Sequence, residues 1–278
     1  MMPRLGVLGW PVAHSRSPAI HNAALAALGM QGWRYQRLPV PPALFAETTR
    51  SLSPSGFLGA NVTIPHKQAA LALAGEASET ARAIGAANTL TFAPDGTIAA
   101  ENTDAPGLLA ALGESPRGMR ALVLGAGGSA RAAAWALREG GASEVSIWNR
   151  TAERAEDLAS ELGLRSVADP EPADLLVNCT SVGLQRSGAI ERSATVDEAL
   201  NQLGLTFDQV GEYPYVVDMV YRSGPTSLLE AARTHGARTL DGLEILIAQG
   251  ALSFELWTGR RPPLDVMRRA ALERDPAD

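Results

Sequence analysis

The 278-residue chain contains a single cysteine, Cys179, so no disulfide can close within it and nothing in its thiol content points to an oxidising compartment. No uninterrupted apolar run approaches the roughly 20 residues that a membrane-spanning helix needs. The opening residues do not follow the order of a secretory signal, because the short apolar stretch 5–10 gives way to Pro11, His14 and Arg16. A basic excess is missing too: 24 Lys and Arg stand against 30 Asp and Glu, a net charge of −6, which argues against surfaces that collect nucleic acid or anionic lipid. No repeat of solenoid period is visible and no metal site is expected. These absences lead to the expectation of a cytoplasmic protein without nucleic-acid or membrane partners.

Hydrophobic residues make up 46% of the chain and charged residues 19%, an ordinary globular composition. The length suits two domains better than one. Along the front half, short apolar runs at 5–9, 33–38 and 56–62 alternate with helical patterns at 18–28, 42–51, and from 66 and 78, which predicts βαβ units and a largely parallel sheet. Residues 88–92 and 97–100 flank Ala93-Pro94-Asp95-Gly96, a turn sequence that predicts a hairpin. A second βα series follows: strands at 121–124, 144–148, 175–179, 215–219 and 237–239, and helices at 128–138, 151–162 and 227–235. Helices at 243–257 and 263–273 close the chain. Residues 185–210 show no clear period and read as a variable surface excursion, with 196–203 open to a short helix.

The strand 121–124 runs into Gly125-Ala126-Gly127-Gly128-Ser129-Ala130 and then into an alanine-rich helix. In that context Gly125 allows the tight turn, Gly127 lets the backbone approach a pyrophosphate, and Ala130 permits close helix–strand packing. The helix N-terminus adds free amides and a positive dipole end. NAD enzymes usually end the second strand in an acid; here it ends in Asn149-Arg150-Thr151, with Arg154 one turn later, a pattern suited to a 2′-phosphate. The same two arginines also read as a solvated helix start paired with Glu153 and Glu156. The cofactor expected is NADP(H).

Three clusters in the front half bear on chemistry. In His14-Ser15-Arg16-Ser17-Pro18, two hydroxyls precede a helix-opening proline and suit a carboxylate, although Ser17 also reads as a plain N-cap. In Asn61-Val62-Thr63-Ile64-Pro65-His66-Lys67, polar groups gather at a strand's C-terminal end, where open α/β sheets bind ligands; Lys67 reads as acid/base group or as surface cation. The third pairs Asn88 with Glu101-Asn102-Thr103-Asp104, in which Asp104 can also cap the helix that follows.

With Asp218-Met219-Val220-Tyr221 and Gly242-Leu243 through Gln249-Gly250, these stretches resemble the shikimate dehydrogenase family from about residue 5 to residue 257. The resemblance implies an NADPH-dependent oxidoreductase that reversibly reduces 3-dehydroshikimate to shikimate in aromatic amino-acid biosynthesis. By that similarity Lys67 is the general acid/base with Asp104 as partner. Ser15 and Ser17 hold the substrate carboxylate, and Thr63, Asn88, Asp104, Tyr221 and Gln249 surround its ring. Gly125, Ala126, Gly127, Gly128, Ser129, Asn149, Arg150, Thr151, Arg154, Met219 and Gly242 line the cofactor, with Glu79 at a further cofactor-side position. It also implies an α/β substrate domain (1–104), a Rossmann-type NADP domain (105–241) and C-terminal helices (242–278) that return to the first domain, with room for a homodimer. Two departures stand out: Ala105-Pro106 precede Gly107 where the family usually has glycine at once, and the prolines after Tyr221 are shifted. A quinate-preferring or NAD-using paralogue and a non-catalytic ligand-binding relative are the rival readings.

Overall fold

The computed structural model describes residues 2–184, 195–222 and 224–273. In chain order the elements are β1 (Arg4–Gly9), α1 (Ser17–Ala27), β2 (Arg34–Pro39), a 3-10 turn (Pro42–Leu44), α2 (Phe45–Leu52), β3 (Phe57–Val62), α3 (Lys67–Leu73), β4 (Glu76–Ala77), α4 (Glu79–Ile84), β5 (Thr89–Phe92), β6 (Ile98–Glu101) and α5 (Asp104–Leu112). There follow β7 (Arg120–Leu124), α6 (Gly128–Glu139), β8 (Glu144–Trp148), α7 (Ala152–Leu162), β9 (Arg165–Ser166), β10 (Leu175–Asn178), α8 (Val196–Gln202), α9 (Phe207–Val210), β11 (Tyr215–Asp218), α10 (Ser227–Thr234), β12 (Arg238–Asp241), α11 (Gly242–Thr258) and α12 (Leu264–Leu272). They form two compact units, Met1–Gly107 with Leu246–Asp278, and Leu108–Ile245.

Among the described residues the first unit holds a six-stranded sheet in the order β2-β1-β3-β5-β6-β4. β1 runs parallel to both β2 and β3, whereas β5 is antiparallel to β3 and to β6. The expected hairpin is therefore present, and it makes the sheet mixed. The C-terminal helices belong here: α12 packs on α1, and the Trp257 indole of α11 donates to the Leu90 carbonyl at 3.0 Å.

The second unit's sheet is parallel throughout, in the order β12-β11-β10-β7-β8-β9. Counted within the unit this is 3-2-1-4-5-6 read from the opposite edge of the chain's own numbering, the doubly wound order of dinucleotide-binding domains. Side chains alternate across it. Val123, Ile147, Val177 and Val217 pack with Ala133, Leu137 and Leu158 of α6 and α7, and Leu122, Leu124, Leu176 and Val216 with Leu200, Val210, Leu228 and Leu229 of α8, α9 and α10. Strands buried on both faces lose the polar alternation of one-sided sheets, which is why they read as continuous apolar runs.

That packing corrects one expectation. The short helix to which the sequence leaves 196–203 open is present as α8, but residues 195–210 are not a surface excursion, because Leu200 of α8, Val210 of α9 and Leu203 and Leu205 between them are buried in the second core. Each helix is too short to display a 3.6-residue period, but each opens with a capping box, Thr195 with Glu198 and Thr206 with Gln209. Residues 185–194 lie outside the described residues. The helix predicted over 42–51 begins as a 3-10 turn, and β4, two residues long, carried no sequence signal.

Candidate active site

In the first unit the chain leaves β1 toward β2 on one side and reaches β3 on the other, so the C-terminal ends of β1 and β3 mark a reversal of strand order, where open α/β sheets collect ligands. Ser15 and Ser17 follow β1; Thr63 and Lys67 follow β3. Because β5 is antiparallel to β3, with Asn61 opposite Thr89, it starts at the same end, and β6 finishes there. The hairpin thus delivers Asn88 and Asp104 to the sheet end where Lys67 lies.

Both serines are buried, and the Ser17 amide donates to Ser15 Oγ at 3.3 Å. Ser17 is not the cap of α1; Arg16 occupies that position, and its side chain accepts nothing from the helix amides. The turn is held from β2 by Arg37, whose Nε and Nη2 donate to the Ser15 carbonyl at 3.2 and 2.9 Å. His14 nearby has its pKa lowered by burial and by the Arg37 charge.

Lys67 and Asp104 are both buried, and the Lys67 Nζ donates to Asp104 Oδ2 at 2.6 Å. Asp104 does not cap α5. The Asn102 side chain does so, accepting from the amides of Asp104 and Ala105 at 3.1 and 3.2 Å, which leaves the Asp104 carboxylate for Lys67 and Asn88. Asn88 Nδ2 donates to Asp104 Oδ1 at 2.8 Å, Thr103 Oγ1 at 3.0 Å and Gln249 Oε1 at 3.1 Å, while its Oδ1 accepts from the Thr103 amide at 2.7 Å. Gln249 reaches this cluster from α11. The sequence did not mark Tyr35, whose hydroxyl donates to Asn61 Oδ1 at 2.8 Å; Asn61 Nδ2 in turn donates to the Asn88 carbonyl at 3.2 Å. His66 is structural: its Nε2 meets the Val40 carbonyl at 2.8 Å and its ring stacks on Phe45.

A buried ammonium–carboxylate pair surrounded by neutral amides and hydroxyls can exchange a proton with a ligand oxygen while its partner keeps the lysine in place. Thr63 is half-buried at the same sheet end. Glu79 lies apart from the cluster in sequence and element, in the first turn of α4.

In the second unit Gly125 follows β7 with φ of +110°, a conformation that other residues rarely adopt, and a Cβ there would stand 3.3 Å from the carbonyl carbon of Cys179, which follows β10. This is the reversal point of the second sheet. Gly127 caps α6 with no side chain to accept from the helix amides, and a Cβ built on it would meet no atom within 4 Å. A helix start without a side-chain cap, with Gly128 and Ser129 in the first turn of α6 and Ala126 beside them, fits a phosphate. Arg150 and Arg154 are exposed at the start of α7 and make no ion pair with Glu153 or Glu156 among the described residues. Asn149 Nδ2 donates to the carbonyl of Thr151, which caps that helix. Met219 follows β11, and Gly242 begins α11 so close that a Cβ would collide with the Met219 carbonyl. Tyr221, also of this unit, is half-buried two residues after Met219. Asp218 anchors the segment: it accepts from Asn178 Nδ2 (2.9 Å), the Val220 amide (3.0 Å) and Thr226 Oγ1 (2.6 Å), and burial pushes its carboxyl up to about 6 despite those donors.

Among the described residues no group of three or more His, Cys, Asp or Glu could hold a metal ion, and no helix is long and apolar enough to cross a membrane.

Comparison with known proteins gives a consistent result along the chain. The family profile of the shikimate dehydrogenase substrate binding domain matches residues 7–90, that of shikimate / quinate 5-dehydrogenase residues 109–178, and that of the shikimate 5′-dehydrogenase C-terminal domain residues 242–272. A shikimate dehydrogenase (NADP(+)) of Methylobacterium radiotolerans is 46% identical over 275 residues, covering 94% of this chain and 93% of its own. Another, of Methanopyrus kandleri, is 42% identical over 287 residues, with 97% and 94% covered. The crystal structure of shikimate 5-dehydrogenase from Thermus thermophilus, in complex with NADP(H) and shikimate, matches with a TM-score of 0.83 at 42% identity, covering 97% of this chain and 98% of that one. The chain belongs to the shikimate dehydrogenase family.

Proposed function

We propose that the protein is an NADP-dependent shikimate dehydrogenase that reversibly reduces 3-dehydroshikimate to shikimate, a step of aromatic amino-acid biosynthesis. The observation that carries the reading is the buried Lys67–Asp104 pair at 2.6 Å, set among Asn88, Thr103 and Gln249. Ser15 and Ser17 take the substrate carboxylate, and Thr63, Asn88, Asp104 and Gln249 take the ring hydroxyls. Reduction of a ketone places alkoxide charge on its oxygen, and Lys67 neutralises it by transferring a proton from Nζ; in the oxidation direction the neutral amine takes the hydroxyl proton back. Asp104 holds Nζ in line and offers its own oxygens to the reacting hydroxyl.

The fit to a dinucleotide rests on the second unit alone: the Gly125 turn, the start of α6 at Gly127 without a side-chain cap, and an arginine rather than an acid after β8. Gly125, Ala126, Gly127, Gly128 and Ser129 would hold the pyrophosphate, Asn149, Arg150, Thr151 and Arg154 the adenosine end with its 2′-phosphate, and Met219 and Gly242 the nicotinamide end. When bound, the reduced dinucleotide supplies the hydride. The reading places the enzyme in the cytoplasm and includes a homodimer, which sedimentation would test.

Initial rates with shikimate and with quinate, each against NADP and NAD, decide among the alternatives. Shikimate with NADP should give the highest kcat/KM. Quinate or NAD in first place would support the paralogue reading, and absence of turnover in all four combinations would remove the enzyme reading.

A further inference from the structure

Gly107 sits inside α5, three residues beyond Asp104, where a helix-interior glycine costs about 1 kcal/mol relative to alanine. Its surroundings supply the reason. A Cβ built on it would stand 2.7 Å from Gln249 Cβ, 2.8 Å from the Gln249 amide nitrogen and 2.9 Å from its Cα. None of these is the tip of a flexible side chain, so no rotamer change relieves the overlap; α11 itself would have to withdraw.

The approach has a chemical result at the far end of the glutamine. Asn88 Nδ2 carries two hydrogens but faces three acceptors, Asp104 Oδ1 at 2.8 Å, Thr103 Oγ1 at 3.0 Å and Gln249 Oε1 at 3.1 Å. Gln249 Oε1 is the most distant of the three, and its other donor in the cluster, Thr103 Oγ1, stands at 3.4 Å. The least firmly held acceptor is the one that an incoming hydroxyl captures most cheaply. Its reach is set by the backbone separation of α5 and α11, hence by the absence of a side chain at Gly107.

We propose that Gly107 is a positioning residue for the substrate site: it lets α11 seat directly on α5 and so fixes the reach of the Gln249 amide toward a ring hydroxyl of the substrate. The inference rests on the reading of Gln249 as a substrate-binding residue. Steady-state kinetics with shikimate and NADP on Gly107→Ala, Gln249→Ala, the double variant and Gln249→Asn, together with thermal unfolding, test it. Gly107→Ala should raise the KM for shikimate about tenfold, the loss of roughly one neutral hydrogen bond, with kcat and the KM for NADP changed far less. In the Gln249→Ala background it should add almost nothing, because its effect runs through that side chain. Gln249→Asn, which shortens the reach while leaving the helix crossing intact, should raise the same KM, and it carries the test alone if Gly107→Ala does not fold.

An unchanged KM in Gly107→Ala, with the higher melting temperature that helix propensity alone would give, overturns the inference, as does an equal penalty in the Gln249→Ala background. If Gly107→Ala does not fold, an unchanged KM in Gln249→Asn overturns it instead. Kinetics unaffected by Gln249→Ala would remove the substrate-binding reading of Gln249 and the inference with it, whereas a damaged Gln249→Ala beside an intact Gly107→Ala removes the inference alone.

Discussion

Lys67 and Asp104 are separated by 37 positions in sequence and by 2.6 Å at their charged ends, and both are buried. Lys67→Ala should lower kcat by about two to four orders of magnitude and leave the KM for shikimate nearly unchanged, as expected of a group used in proton transfer. A KM effect that dominates would reassign the lysine to binding. The same substitution strands a buried carboxylate, so urea unfolding should report a loss of about 3–5 kcal/mol, partly restored by Asp104→Asn in the same chain. At the proposed dinucleotide site Arg150 is exposed and contributes little to the fold. Arg150→Ala should therefore leave the unfolding midpoint in place while raising the KM for NADP by about ten- to a hundredfold and sparing that for NAD, the value of a hydrogen bond to a charged group.

At the scale of elements, two buried titratable groups set opposite pH limits on stability. Asp218, clasped at the end of β11, holds its proton more tightly when folded, with a value of about 6 against an ordinary 3.8. Its contribution is complete below the ordinary value and is lost as pH rises through about 6. His21 of α1 lies stacked on Tyr35, with ring centroids 4.2 Å apart, and among the described residues neither ring nitrogen has a hydrogen-bond partner; burial lowers its pKa from 6.5 to about 3. Its contribution is present above the ordinary value and is lost as pH falls from 6.5 toward 3. Melting temperatures followed across pH should show Asp218→Asn gaining over the parent chain on the alkaline side and His21→Phe gaining on the acid side; gains independent of pH would contradict both assignments. Neither group was legible as a determinant of pH response, because the burial that shifts each one comes from elements distant in sequence. The nucleotide turn was legible because strand, glycines and helix are consecutive from Arg120 to Glu139. Of the short helices, the sequence leaves α8 open as a helix over 196–203, whereas α9, four residues long, carries too little periodicity, although its capping box is in plain view.

For the whole molecule, the alternation of strands and helices was enough to anticipate two α/β units, but the polar cluster was not readable from residue patterns alone. Asn88 and Gln249 are 161 positions apart, and only family resemblance joined them in advance. The assignment of Asp104 also needed the structure, since a helix-start aspartate reads as a cap until Asn102 is seen to fill that role. The chain passes from the first unit to the second within α5 and returns within α11, so the second unit, Leu108–Ile245, is an insertion. A chain stopped at Ile245 should keep slow amide exchange in β7–β12 and lose it in β1–β6, which would lack Trp257 and α12; protection of both sheets would contradict this. On the ribosome the same layout imposes an order of events. The front of the first unit is made early and must wait for Trp257 and α12, its apolar faces uncovered, while the inserted unit, which has cores of its own, is made. Gln249 and Trp257 emerge only afterwards. The nascent protein therefore acquires the fold for its reductant before that for its substrate, and during that interval the exposed early segment is where chaperones would have most to do.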